Sequence, residues 1–120
     1  MKREMDLVRK LVLAIEDSPH AFVGSLNVQG ATEEQIGYHA YLLVDAGLAE
    51  GVDATDMESS GPEYQITHLT WAGHDFADAC RNDDVWNKAT RTISEKVGSV
   101  TFDVFKQVLV SFAKTAIGLG

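Results

Sequence analysis

Four histidines, one cysteine and eighteen acidic side chains are the groups through which this chain could do chemistry. Metal binding needs several of them at ligand spacing. His20, His39, His68 and His74 form no close H-x-x-x-H pair with a partnered acid, and Cys80 has no second cysteine beside it. The best cluster is His74 with Asp75 and Asp78, because residues four apart share a helix face. The stronger reading of His74 is a packed or hydrogen-bonded histidine at the start of a helix. A hydrolase would need a nucleophile with a positioned base. The sequence has no G-x-S-x-G elbow, and Cys80 falls on an apolar helical face, where a thiol is usually inert. The glycines are scattered singly, so no phosphate-cradling loop is present. The expectation is a non-enzymatic protein with no catalytic residue, cofactor or metal.

Charge narrows the remaining classes. The net charge is −8, and Lys and Arg occupy positions 2, 3, 9 and 10 and then do not recur before Arg81. Twelve acidic residues lie in that gap. Binding to a phosphate backbone needs cations that replace released counterions, so nucleic acid is an unlikely ligand for the middle of the chain. At 120 residues with 45% hydrophobic and 23% charged side chains, the chain has the size and composition of one globular domain. The apolar run Leu11 to Ile15 is bracketed by Arg9, Lys10, Glu16 and Asp17, too short for a membrane span or a secretory signal. With a lone cysteine and no signal, the expected compartment is the cytoplasm.

The elements that must position these side chains follow from periodicity and caps. Arg3 to Asp17 carries apolar residues at 5, 8, 12 and 15 and at 7, 11 and 14, a helix with a wide buried face stopped by Pro19. Ala21 to Val28 reads as a short strand or extended loop. Thr32 to Gly51 is the organising stretch: Thr32 and Gln35 make a capping box, Ile36, Ala40 and Leu43 an apolar face, and Gly47-Leu48 a helix stop. Gly37 leaves open whether this is one helix or a short turn followed by a helix from Tyr38. Leu48 to Ala54 and Tyr64 to Leu69 read as strands around the turn 56–63, the second alternating Tyr64, Ile66 and His68 against Gln65, Thr67 and Leu69. Thr70 caps a helix from Trp71 with apolar Trp71, Phe76, Ala79 and Cys80. A further helix carries Trp86, Ala89, Ile93 and Val97 and ends at Gly98. Thr101 caps a last one with Val104, Phe105, Val108, Leu109, Phe112, Ala116 and Ile117. Trp71 and Trp86 are expected in the core.

Helix, extended segment, capped helix, strand, turn, strand, helix is the order of a winged helix, with the hairpin as wing and the 32–46 helix in the recognition position. The steps Ala46-Gly47-Leu48 and Leu69-Thr70-Trp71-Ala72-Gly73-His74-Asp75-Phe76 look like recurring winged-helix forms. MKREMDLVRKLVLAIED, GYHAYLLVDAGLAEG, LTWAGHDFADACR and VWNK, in that order, resemble the uncharacterised bacterial and phage-associated family catalogued as domain of unknown function 2513. The resemblance covers nearly the whole chain. It implies a mainly α fold with a small antiparallel β-hairpin, a winged helix-turn-helix-like domain with extra C-terminal helices, and it carries no catalytic residue.

Residues 1–81 would then form the winged-helix-like core and 82–120 a helical extension packed on that core or on a partner subunit, one domain overall. The candidate interaction surface is Gln35, Tyr38, His39 and Tyr41 with Glu58 of the wing. Its acidic flanks favour a protein partner, basic in charge, over DNA. The alternative is a DNA-binding transcriptional regulator using another face, either Lys2, Arg3, Arg9 and Lys10 or Arg81, Lys88, Arg91 and Lys96. The broad stripe of the last helix either closes the core on the first helix or makes a homodimer.

Overall fold

The computed structural model describes residues 1–120. Its order is α1 (Met5–Glu16), α2 (Glu33–Asp45), β1 (Ala49–Asp53), β2 (Tyr64–Leu69), α3 (Trp71–Cys80), α4 (Asp83–Lys96) and α5 (Phe102–Ala116). Five helices and one antiparallel hairpin make a mainly α, winged-helix-like arrangement. No helix is long and apolar enough to cross a membrane. The chain forms two compact units, Met1–Ala77 and Asp78–Gly120, divided within α3.

In the first unit α1 buries Leu7, Val8, Leu11, Val12 and Ile15, the face set by its three-and-four spacing. Helix α2 packs on α1 and on both strands. It is one continuous helix through Gly37. Its start is a capping box: Gln35 N–H donates to Thr32 Oγ1 at 3.1 Å, and Thr32 N–H donates to Gln35 Oε1 at 2.8 Å. Its end is a Schellman motif. Gly47 takes φ +76°, Leu48 N–H donates to Leu43 O at 2.9 Å, and Gly47 N–H donates to Val44 O at 3.0 Å. Leu48, buried, then turns the chain into β1.

The strands pair Ala49 with Leu69, Glu50 with His68 and Gly51 with Ile66, so Thr67 is an extra residue, a bulge. It corrects the simple alternation expected of β2. A bulge advances the side-chain phase by one, so Ile66 and Leu69 are buried and His68 is exposed. Thr67 Oγ1 donates to Glu50 O at 3.1 Å, and the Thr67 carbonyl accepts the Val23 N–H at 2.8 Å. Residues 23–28 form neither helix nor strand.

A tight joint carries the chain from β2 into α3. Thr70 N–H donates to Leu48 O at 3.0 Å, its hydroxyl donates to Gly47 O at 2.6 Å, and the same oxygen accepts Gly73 N–H at 3.2 Å. The approach is close enough that a Cβ on residue 73 would lie 1.9 Å from Leu48 O. Trp71, expected in the core, is instead 85% exposed. It is the first residue of α3, where the face carrying Phe76 and Ala77 has turned inward and Trp71 has not.

In the second unit, Asn82 caps α4 by accepting Val85 N–H at 3.0 Å, and Thr101 caps α5 by accepting Val104 N–H at 3.3 Å. Trp86, 2% exposed, meets Phe105 edge to face at 5.3 Å, and Ala89, Ile93 and Leu109 are buried with them. Val97, assigned to the apolar face from its spacing, is exposed at the helix end. So are Val104 and Ile117 of the α5 stripe, of which Phe105 and Leu109 are buried.

Candidate interaction surface

The recognition-position helix presents a stripe set by helical spacing alone. Glu34, Tyr38, Tyr41 and Asp45 stand at i, i+4, i+7 and i+11 and share one face. Opposite them, Ala40 and Leu43 are buried with His39. Tyr38 and Tyr41 have ring centroids 5.8 Å apart with planes tilted by 34°. Tyr64, at the start of β2, extends the row, 5.5 Å from Tyr41 at 53°. The hairpin meets this stripe twice: Ser60 Oγ donates to the Glu34 carboxylate, and a Cβ on Gly37 would lie 3.2 Å from Glu63 Cβ. The result is three half-buried tyrosine rings edged by carboxylates of both elements.

The candidate residues therefore divide. Tyr38 and Tyr41 are on this face and in contact. Glu58 is exposed at the hairpin tip, where Asp56 Oδ1 accepts its N–H at 2.9 Å. Gln35 is only partly exposed, and its side-chain oxygen is held by the capping box. His39 is a correction: it is 0% exposed and not part of any surface. Its Nε2 accepts the Glu4 N–H at 2.9 Å and its Nδ1–H donates to Gln35 O at 2.8 Å. Glu4 is the N-cap of α1, so His39 satisfies a backbone donor at the start of another helix. Tyr64 and Glu63 join the surface only through the fold, whereas the 34/38/41/45 stripe is present in the sequence as a helical period.

Three of the four histidines meet elsewhere. His20, His68 and His74 line a groove of about 550 Å³ with Glu16, Ser18 and Phe22. His74 Nδ1 lies 3.0 Å from Glu16 Oε2, a hydrogen bond at the start of α3. His68 Nδ1 lies 3.1 Å from Thr67 Oγ1, whose single proton is directed at Glu50 O. Thr67 Oγ1 therefore accepts from His68 Nδ1–H, and Glu16 Oε2 accepts from His74 Nδ1–H. No three His, Cys, Asp or Glu side chains are arranged to hold a metal ion. Cys80 is fully buried. Among the carboxyls, Asp53 is held below the ordinary aspartate range, first by the Thr55 side chain and then by the Thr55 backbone N–H.

Comparison with known proteins places this arrangement in a family. The model of the family described as hypothetical protein DUF2513 matches residues 2–99. A Haemophilus influenzae protein described as uncharacterized is 39% identical over 111 residues, covering 90% of this chain and 92% of that protein. No solved structure matches. The chain belongs to the DUF2513 family.

Proposed function

We propose that this DUF2513 protein is a protein-interaction module of bacterial or prophage origin, with a regulatory role, which docks a partner on its α2 and hairpin face where a DNA-binding winged helix would meet its operator. One observation supports the reading above others. From Leu11 to Cys80 there is no Lys or Arg, while α2 and the hairpin carry Glu34, Asp45, Asp53, Glu58 and Glu63. Such a face repels phosphates at both of the usual contact points. The α1–α2 segment adds to the argument. A helix-turn-helix places a second helix three or four residues before the recognition helix, and residues 17–32 hold none.

The test is binding to random-sequence duplex at low salt. The expected result is no shift, and an affinity that falls with added salt refutes the proposal. The alternative, DNA binding through another face, draws on Lys88 and Arg91, which line an open surface of α4 with Asp84 and Asn87. It predicts duplex binding that Arg91→Glu abolishes. The exposed Val104, Val110, Ile117 and Leu119 extend the proposal to self-association through α5, refuted by a monomeric mass at micromolar concentration. The protein is proposed to be non-enzymatic, and any turnover lost in His74→Ala would overturn that.

A further inference from the structure

We propose that the Tyr38–Tyr41–Tyr64 row is a docking site for arginine side chains of a partner protein, presented on a peptide segment rich in arginine. The inference rests on the interaction reading above and gives its partner a chemistry. A guanidinium is attracted to the face of a tyrosine within about 6 Å of the ring centroid, and its planar fork matches a carboxylate. Here both halves of that site lie on one surface. The rings stand 5.8 and 5.5 Å apart and are tilted by 34° and 53°, so they do not close on one another as parallel stacks. Glu34 and Asp45 bracket the two helix tyrosines on the same stripe, and Glu63 precedes Tyr64.

The same chain supplies the comparison. In the Asp78–Gly120 unit, cations cover aromatic rings: Lys88 Nζ lies 5.0 Å from the Phe112 centroid, and Lys106 Nζ lies 4.9 Å from that of Phe102. In the stretch that builds the tyrosine row there is no Lys or Arg to do this. The row is thus an aromatic surface with complementary charge around it and no cation of its own segment upon it. Arginine is favoured over lysine because it stacks on a ring and pairs with a carboxylate at once, whereas an ammonium is a compact, strongly hydrated charge.

The test uses the full chain and three ten-residue peptides, Gly-Arg, Gly-Lys and Gly-Glu repeats, titrated calorimetrically at 50 mM salt. The expected result is saturable binding of the Gly-Arg peptide, at least fivefold weaker binding of Gly-Lys, and none of Gly-Glu. Tyr41→Ala and Glu34→Gln each weaken Gly-Arg binding at least threefold, while Tyr41→Phe, which keeps the ring face, and Glu95→Gln, on α4, leave it within twofold. Equal affinities for the arginine and lysine peptides, or indifference to both Tyr41→Ala and Glu34→Gln, overturn the proposal in favour of unspecific attraction to an acidic protein. Glu34→Gln lies in the exposed first turn and keeps the test valid if Tyr41→Ala does not fold. No peptide binding together with no duplex binding overturns this site and leaves the interaction reading standing, whereas salt-sensitive duplex binding overturns that reading as well.

Discussion

Replacing Gly73 by alanine sets helix propensity against packing, and the two predict opposite signs. Alanine inside a helix is about 1 kcal/mol more favourable than glycine, so propensity alone predicts a more stable protein. Packing predicts the reverse. The new Cβ would lie 1.9 Å from Leu48 O, 3.0 Å from Leu48 C and 3.1 Å from Leu69 Cδ2. The first two are backbone atoms, so no rotamer relieves the clash. With an ordinary non-bonded separation of about 3.5 Å, the two backbones must part by roughly 1.5 Å. That movement stretches the bonds from Thr70 N–H to Leu48 O and from its hydroxyl to Gly47 O, now 3.0 and 2.6 Å. Overpacking costs about 1–3 kcal/mol and each weakened hydrogen bond up to about 1 kcal/mol. With both hydrogen bonds weakened and the propensity gain subtracted, a net loss of about 2–4 kcal/mol remains. At about 4 °C per kcal/mol for a chain of this size, Tm falls by about 8–16 °C. Thermal and urea unfolding followed by circular dichroism measures both. An unchanged or raised Tm refutes the role given to this joint. Gly37→Ala is the control: its new Cβ meets Glu63 Cβ and Cγ at 3.2 Å, so the hairpin must yield by only a few tenths of an ångström, the propensity gain offsets that cost, and stability stays within about 1 kcal/mol of wild type.

Thr32→Ala removes the acceptor of the Gln35 N–H and destabilises by about 1 kcal/mol in urea unfolding; no change would mean that the capping box contributes nothing. His39→Leu keeps the buried volume apolar but strands the Glu4 N–H, with an expected loss of about 1–3 kcal/mol and faster amide exchange in the first turn of α1. Because the folded Asp53 carboxyl is held below its unfolded value, its contribution to stability is present above the ordinary aspartate range and is lost as pH falls through the folded pKa. Thr55→Ala removes the largest cause, so an NMR titration should find the Asp53 carboxyl back toward the ordinary range.

Local chemistry was legible wherever cause and effect are close in sequence. The Thr32–Gln35 box, the Gly47-Leu48 stop and the cap at Thr101 are contacts three to five residues long, and each forms as its residue types require. The departures come from longer reach. A bulge depends on the partner strand, so the Thr67 insertion and the inward turn of Leu69 could not be read from alternation within β2. Trp71 has an apolar side chain at a helical interval, but helix start and buried face are fixed by the Thr70 joint to Gly47 and Leu48, twenty-two and more residues upstream. His39 looks like a base-reading or partner-reading residue in a recognition-position helix. Only the proximity of Glu4, thirty-five residues away, gives it a structural role. The groove shared by His20, His68 and His74 is likewise invisible in a linear spacing.

These placements explain why the motifs read from this sequence speak for a fold and not for an activity. Ala46-Gly47-Leu48 and Leu69-Thr70 with Gly73 are the two sides of one joint, bonded to each other through Thr70. The histidine of the GYHAYLL motif is buried against the start of α1. The GYHAYLLVDAGLAEG and LTWAGHDFADACR motifs thus contribute contacts that hold the hairpin to α2 and α3 and α1 to α2, and a chain can meet them whatever its exposed stripe binds. Stability and binding should therefore separate by residue. Substitutions at Gly73 or His39 move Tm, and Glu34→Gln on the exposed stripe moves affinity for an arginine peptide while Tm stays within about 2 °C, as surface changes usually do. A Glu34→Gln protein that loses stability in proportion to binding would mean that the stripe belongs to the scaffold.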